Sequence, residues 1–306
     1  SSNEVYAMAS DGKGKLWLGT EEGLNILDVK SLKVSTYKPN RRNIHSLTAK
    51  AIRSVYIDKQ GICWLGTFKG GINKYDKNLS LFNLKQSNPF DERGLTASVV
   101  TSFAEGGNGK VFVGTDGGGL NLFDRHTELF SHYNLQPKGA PSKSLSILAL
   151  QMSRDRQLWI GTYSDGLFRL NPGTGEYRQF LAGNTPGSLT NSNVFCIEED
   201  SKGNIWIGTN GGGVNVYNPK TQSFSNYHEA SPFAVPVKIP INPYIRTIEE
   251  DKKGNIWIGS HGSGIAVFNP QTKAVQSYVR SNSRLPANVV LSILSDRNDN
   301  IWVGTL

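Results

Sequence analysis

Cysteine is scarce in this sequence. Among 306 residues there are two, Cys63 and Cys196, and neither belongs to a CxxC pair or a Cys/His cluster. This excludes the common zinc-site patterns. Because the two residues lie in distant repeats, we predict two free thiols that pack as small core side chains.

Long apolar runs are also missing. No stretch approaches the roughly 20 apolar residues that a membrane helix requires. The first four residues, Ser-Ser-Asn-Glu, lack the basic and apolar regions of a signal peptide. Neither feature assigns a compartment.

Several signatures of enzymes and cofactor sites are absent as well. The five histidines show no HxH or HExxH spacing, and there is no GxSxG motif. The glycine triplets at 117–119 and 211–213 precede no helix and no Lys-Ser/Thr pair, so they are not phosphate loops. The Asp-x-x-Gly turns offer too few oxygens for the six to eight ligands of calcium. We therefore predict no metal and no cofactor.

Basic residues give a net charge of +8, but they are spread over the whole chain. No run is longer than two residues, as at 41–42 and 252–253. A nucleic-acid footprint usually clusters on one face or one helix. We predict no nucleic-acid binding, while an acidic ligand remains compatible with the charge.

What the sequence has is a repeat. Seven hexads end in an aromatic residue, an aliphatic residue, Gly and a hydroxyl residue, and successive aromatic residues lie 47, 48, 47, 47, 51 and 45 positions apart. A fixed period of this length indicates one supersecondary unit stacked many times. The seven aromatic residues are Trp17, Trp64, Phe112, Trp159, Trp206, Trp257 and Trp302.

The fifth repeat illustrates the predicted unit. Residues 193–198 form a short, apolar, β-prone segment, and residues 205–209 a second one. Residues 214–217 and 224–227 supply two more, the last with alternating apolar and polar positions. Turn sequences rich in Asp, Asn and Gly separate the segments. The repeat therefore predicts a four-stranded antiparallel meander.

A sheet of this size cannot bury both faces alone, whereas seven stacked around an axis can. The sequence thus predicts an all-β, seven-bladed β-propeller of four-stranded antiparallel blades in a single domain. Small residues at one position of every inner strand, such as Ala7, Ser54 and Cys196, fit crowding near the axis. The last blade has two strands in this chain, so we expect a fragment of a larger protein. The predicted blades are 3–37, 50–84, 97–133, 145–180, 192–227, 243–278 and 288–306.

The repeat resembles that of the two-component regulator propeller family. The pattern Asp-x-x-Gly-Asn-Ile-Trp-Ile-Gly-Thr, then Gly-Gly-Gly-hydrophobic-Asn, then Asn-Pro-x-Thr, is nearly complete in residues 200–221 and clear in 251–272. Departures at Phe112, Ser260 and the turn 153–157 concern packing and turn geometry. Similar motifs recur in all seven repeats.

The resemblance implies a function. Such propellers are typically extracytoplasmic sensing portions of hybrid histidine kinases, often with two propellers in one chain. It therefore implies a periplasmic ectodomain of an inner-membrane protein that recognises an oligosaccharide. It also implies a homodimeric receptor, contacts with the rest of the sensor chain, including a second propeller, and signalling to a kinase.

Candidate ligand residues lie where the repeats differ. The connections from second to third strand share one face with the long loops that enter each inner strand, the usual ligand side of the fold. Aromatic rings beside carboxylates and amides suit sugars. These connections contribute Phe68, Asp116, Tyr163, Asp165, Asn210 and His261.

Two arginines, Arg53 and Arg246, occupy the same inner-strand position in the second and sixth repeats. Guanidinium groups bind carboxylate or sulfate through two parallel hydrogen bonds. The alternative is that each arginine pairs with a neighbouring acid and only holds blades together. Both interpretations stay open at this point.

Two other functions remain open. A polysaccharide lyase or glycosidase can assemble its site from distant blades, and His228 and His261 with acidic neighbours are where we would seek it. A purely protein-binding propeller is the other alternative, although the WD dipeptide typical of one such class is absent. Of these functions we predict the sensor, and no catalytic residue.

Overall fold

The computed structural model describes residues 4–43, 45–76, 84–87, 91–139, 144–227 and 237–306. Within these ranges every regular element is a β-strand. The chain divides into two compact units, residues 1–85 and 86–306. The predicted single-domain boundary is not tested by this division and stays a prediction.

The first unit holds a four-stranded antiparallel sheet in the order β1-β2-β3-β4 and a three-stranded sheet in the order β5-β6-β7. Residues 81–83 of the fourth strand predicted for the second blade lie outside the described residues. The strands are β1 (Val5–Ser10), β2 (Lys15–Thr20), β3 (Gly23–Asp28), β4 (Val34–Tyr37), β5 (Ile52–Ile57), β6 (Cys63–Thr67) and β7 (Gly71–Tyr75).

The second unit holds four four-stranded sheets and one two-stranded sheet, each with neighbours in chain order. The strands of the four-stranded sheets are β8 (Val100–Gly107), β9 (Lys110–Thr115), β10 (Gly119–Asp124), β11 (Leu129–Tyr133), β12 (Ile147–Met152), β13 (Leu158–Thr162), β14 (Leu167–Leu170), β15 (Tyr177–Phe180), β16 (Val194–Glu199), β17 (Ile205–Thr209), β18 (Val214–Asn218), β19 (Ser223–Asn226), β20 (Ile245–Glu250), β21 (Ile256–Ser260), β22 (Ile265–Phe268) and β23 (Val275–Tyr278). Strands β24 (Val290–Ser295) and β25 (Ile301–Thr305) form the last sheet, as the sequence predicts.

The hexad residues bury the sheet interfaces. Trp206 at the centre of β17 is 2% exposed and packs in one cluster with Ile245 of β20, Ile258 of β21 and Phe268 of β22. Trp17 packs likewise against Ile52 in the first unit. In both cases the aromatic residue of one sheet is covered by the next sheet, whereas Trp64 and Trp302 are 36 and 63% exposed.

The glycine of each hexad has a steric role. Gly208 is opposite Cys196 in the pairing of β17 with β16. A Cβ atom at Gly208 would lie 2.4 Å from Cys196 Sγ and 2.6 Å from Ile245 Cγ2. The small inner-strand residue and the glycine thus make room for each other and for the first residue of the next inner strand. This cross-strand contact is one observed reason for the small residues, and crowding near the axis stays a prediction.

Candidate ligand-binding site

Every inner strand carries a register shift at the same place. In β20, for example, Ile245 pairs with Ser260 and Thr247 with Gly259, so that Arg246 is the extra residue of a β-bulge. Bulges leave one residue out of the ladder and aim its side chain away from the regular pleat. The equivalent bulge residues are Tyr6, Arg53, Thr101, Leu148, Phe195, Arg246 and Leu291.

In the first unit the bulge residues form a compact polar and aromatic cluster. Arg53 Cζ lies 3.8 Å from the centroid of the Tyr6 ring and 5.3 Å from that of Phe68. Arg53 Nη2 lies 3.5 Å from Glu21 Oε2. The sequence left open whether Arg53 pairs with a neighbouring acid, and the structure places that acid beside it.

Glu21 also orients Tyr6. The Tyr6 hydroxyl donates to Glu4 Oε2 at 2.8 Å and to Glu21 Oε2 at 3.0 Å. The hydrogen bonds to Glu4 and then to Glu21 raise the pKa of Tyr6 to about 12, because an ionised phenolate could no longer donate them. Arg53 thus has a counter-charge within the cluster.

In the second unit an arginine again lies over the aromatic bulge residue of the preceding sheet. Arg246 Cζ lies 4.3 Å from the centroid of the Phe195 ring, the bulge residue of the preceding sheet. Its Nη1 atom is buried and makes no hydrogen bond within the described part of the chain. A buried donor without an acceptor costs about 1–3 kcal/mol, and more when it is charged. In native proteins such a group is completed by an ordered water, an ion or a ligand.

Asn210 lies between the same two sheets. Its backbone N–H donates to Asn193 O at 2.9 Å, and the residue pairs with Tyr244 in an isolated antiparallel bridge. Its Oδ1 atom is buried, again with no hydrogen-bond partner in the described ranges. Two orphaned polar atoms, on Asn210 and Arg246, thus occur at one sheet boundary.

His261 repeats this backbone geometry at the next boundary. Its N–H donates to Tyr244 O at 2.9 Å, and its carbonyl oxygen accepts from Asn242 Nδ2 at 2.8 Å. His261 is exposed to solvent. Tyr244, which is 47% exposed, therefore lies between Asn210 and His261 and presents an aromatic ring there.

The remaining predicted residues lie at other boundaries. Tyr163 is 54% exposed, and its N–H donates to Ser146 O at 2.9 Å. Asp165, in the same turn, is partly buried, and its carbonyl oxygen accepts from Gln179 Nε2 at 2.8 Å. Asp116 is exposed, with its N–H donating to Val99 O at 3.0 Å. Their role in binding remains a prediction.

Of the predicted residues, the structure thus brings Phe68 close to Arg53. It also places Asn210 and His261 on either side of Tyr244, two residues before Arg246. Sequence reasoning missed Glu21, Phe195 and Tyr244 as site residues. Glu21 follows the hydroxyl residue of its hexad, as Asn210 does, so alignment of the repeats was the signal that could have found it.

Acidic residues concentrate at the opposite ends of the inner strands. Burial, followed by the carboxylates of Glu249, Glu250 and Glu199, raises the pKa of Glu198 to about 8. The Glu199 and Glu250 carboxylates accept from backbone N–H groups of neighbouring turns, at Arg154 and Ser201. These groups tie sheets together. Among the described residues, no three His, Cys, Asp or Glu side chains are grouped to hold a metal ion.

The predicted thiols are confirmed as free: neither Cys63 nor Cys196 forms a disulfide. Of the two histidines named for a catalytic alternative, His261 is described above and His228 lies outside the described residues. No helix in the described ranges has the length and apolar character to span a bilayer.

Comparison with known proteins identifies the repeat. The model of the family described as two component regulator propeller matches residues 1–22, 188–211, 239–262 and 284–306. A histidine kinase of Formosa agariphila is 28% identical over 173 residues, which are 52% of this chain and 12% of that protein. The predicted resemblance to this repeat family is therefore confirmed over the matched residues.

Solved structures agree with the family match. The extracellular domain of a putative hybrid two-component system of B. thetaiotaomicron is 27% identical, with a TM-score of 0.60, over 100% of this chain and 39% of that one. A second such domain of that organism is 24% identical with a TM-score of 0.59, over 98% of this chain and 40% of that one, and shows the fold alone. The predicted all-β propeller class is confirmed.

A virginiamycin B lyase of Staphylococcus aureus also shares the fold, at 16% identity and a TM-score of 0.51, over 99% of this chain and 92% of that one. At this identity the likeness carries no function. The chain spans well under half the length of the two-component relatives that it matches.

Proposed function

We propose that this chain, which carries the two-component regulator propeller repeat, is part of the periplasmic ectodomain of an inner-membrane hybrid two-component sensor. The observation that carries the proposal is the likeness to an extracellular domain of such a system over the full length of the chain, at 27% identity. The match to a histidine kinase supports the same assignment. In this proposal the domain binds and does not catalyse.

We propose an oligosaccharide as the ligand. Exposed rings at Phe68, Tyr163 and Tyr244, which are 52, 54 and 47% exposed, offer faces on which the C–H groups of sugars stack. The connections from the second to the third strand also hold the amide of Asn210, the carboxyl group of Asp165 and the imidazole of His261. These groups can form hydrogen bonds with sugar hydroxyls. Exposed aromatic residues on connections between rigid strands are typical of binding surfaces.

The partners follow from the proposed receptor. Ligand binding would shift the equilibrium between two packings of a homodimeric sensor that includes a second propeller, and so change the activity of its kinase. A ligand acts in this way only through different affinities for the two packings.

The test uses the complete ectodomain. A broad panel of oligosaccharides is screened by thermal unfolding, and any compound that raises the melting temperature is titrated by calorimetry. We expect at least one glycan to bind, and Tyr163→Ala and Tyr244→Ala to weaken it. Tyr56→Ala is the matched control, because Tyr56 is 62% exposed but lies within β5, paired with Trp64.

Silence of the whole panel, by both methods, would contradict the glycan. The same incubations, assayed for new reducing or unsaturated ends, test the alternative of a glycan-cleaving propeller. Product formation would contradict the assignment as a sensor without catalysis.

A further inference from the structure

The two bulge arginines share one contact and differ in another. Each lies over the aromatic bulge residue of the preceding sheet, Arg53 over Tyr6 and Arg246 over Phe195. Each sheet pair also has a residue that directly follows the hydroxyl residue of its hexad. In the first unit that residue is Glu21, and at the Arg246 boundary it is Asn210.

The difference between Glu21 and Asn210 changes the electrostatics. Glu21 places a carboxylate 3.5 Å from Arg53, so that guanidinium carries its own counter-charge. Asn210 is neutral, and within the described ranges Arg246 forms no ion pair and leaves Nη1 buried without an acceptor. The equivalent position therefore holds a carboxylate beside Arg53 and an uncharged amide at the Arg246 boundary.

Asn210 is tied close to Arg246 by backbone contacts. It is bonded to Asn193, two residues before Phe195, and bridged to Tyr244, two residues before Arg246. Two residues of a strand span about 7 Å. Asn210 and Arg246 therefore lie at the same end of this sheet boundary, next to Tyr244, whose side chain is exposed.

We propose that Arg246 and Asn210 form a subsite for an anionic group on the ligand, a carboxylate or a sulfate ester, which takes the place that Glu21 holds beside Arg53. The guanidinium donates to two oxygens of the anion, and the Asn210 amide binds a third oxygen or a neighbouring hydroxyl. Arg53 is excluded from this role because Glu21 already neutralises it. The inference rests on the proposed function in that it specifies the charge of the glycan.

The first measurement needs no identified glycan. Thermal unfolding of the complete ectodomain is followed in sodium sulfate and in sodium chloride at equal ionic strength. Sulfate stabilises folded proteins in general because it is excluded from their surface, so the specific response is the part of the rise that a variant removes. We expect sulfate to raise the melting temperature of the wild type, and Arg246→Met and Asn210→Glu to reduce that rise. Arg53→Met, the matched control, should keep it.

Two features separate an anion site from a structural arginine. Without sulfate, Asn210→Glu should raise the melting temperature, since it supplies the missing carboxylate within the chain. Glu21→Asn should create a second sulfate response at Arg53. An unchanged sulfate response in Arg246→Met would overturn the subsite, as would a lower melting temperature in Asn210→Glu.

Calorimetry with glycans then distinguishes the source of the anion. Oligouronates, sulfated oligosaccharides and their neutral counterparts are compared, and we expect Arg246→Met to weaken one acidic class about tenfold or more. If glycans bind but Arg246→Met changes their affinity less than twofold, the subsite fails and the sensor proposal stands. If sulfate changes the melting temperatures as expected but no glycan binds, the subsite stands and the glycan proposal fails.

Discussion

Asp251 Oδ2 accepts a hydrogen bond from Trp257 Nε1 at 2.9 Å, and so links the turn of a repeat to the aromatic residue of its hexad. The same oxygen accepts from Asn255 Nδ2 at 2.9 Å, while Oδ1 accepts from two backbone N–H groups of the turn. The pairs of Asp200 with Trp206 and Asp296 with Trp302 repeat the contact. Each turn is thus fixed to the strand that follows it.

Replacement of Asp251 by Asn should destabilise the protein. Burial raises the pKa of this carboxyl, but the hydrogen bonds from Trp257 and Asn255 outweigh burial and leave the pKa below its usual value. Asn cannot accept on both sides, so we expect a loss of about 1–3 kcal/mol in the free energy of unfolding at pH 7. Urea unfolding measures it.

The pH dependence of this effect has a fixed sign. A lowered pKa in the folded state gives stability that is present above the unfolded pKa, near 4, and is lost as the pH falls through the folded value. The difference between wild type and Asp251→Asn should therefore shrink in acid. Asp299→Asn is the control, because Asp299 makes only a 3.9 Å surface contact with Lys253 among the ion pairs described; an equal loss there would contradict the prediction.

Glu198→Gln should stabilise the protein at alkaline pH. Burial and neighbouring carboxylates raise the pKa of Glu198 to about 8 from a usual 4.5, so the folded state binds more protons between these values. Stability contributed by this group is full below about 4.5 and falls as the pH rises to about 8. We expect Glu198→Gln to gain on the order of a few kcal/mol at pH 8 and little at pH 4.5.

Melting temperatures measured from pH 4.5 to 9 check this difference. Glu105→Gln is the control, since Glu105 is exposed and pairs at the surface with Arg125 at 3.3 Å. Parallel pH profiles for the wild type and Glu198→Gln would show that Glu198 titrates normally.

A methyl group at Gly208 should be costly. Its Cβ would collide with Cys196 Sγ and with the Ile245 side chain, both within 2.6 Å. Overpacking of this kind costs about 1–3 kcal/mol. Gly173→Ala is the matched control, because the one contact there within 4 Å is the Asn171 Oδ1 atom at 3.3 Å. Equal denaturation midpoints for both variants would contradict the steric role.

Both thiols should be unreactive in the folded protein. Burial raises the pKa of Cys63 to about 11 and that of Cys196 to about 12, so little thiolate exists at pH 8. We expect an aromatic disulfide reagent to label neither cysteine natively and both in urea. Fast labelling of the native protein would show that the sheets around one of them open readily.

Much of the fold could be read from local pattern. Period-two apolar segments and Asp-x-x-Gly turns predict strands and connections, because pleat and turn geometry depend on few neighbouring residues. The equivalence of Arg53 and Arg246 was also visible from repeat alignment. That both are bulge residues was not, since a bulge is a property of pairing with another strand.

The sequence by itself determined the repeat, its strands, the propeller class and the positions at which the repeats differ, because these depend on spacing along the chain. Only the tertiary structure decided which contacts the differing residues make. Arg53 is neutralised by Glu21, 32 positions away in sequence, whereas Arg246 stacks on Phe195 with Nη1 unpartnered in the described residues. Charge pairing acts through space over a few ångströms, so which arginine has a carboxylate beside it was decided by sheet-to-sheet packing.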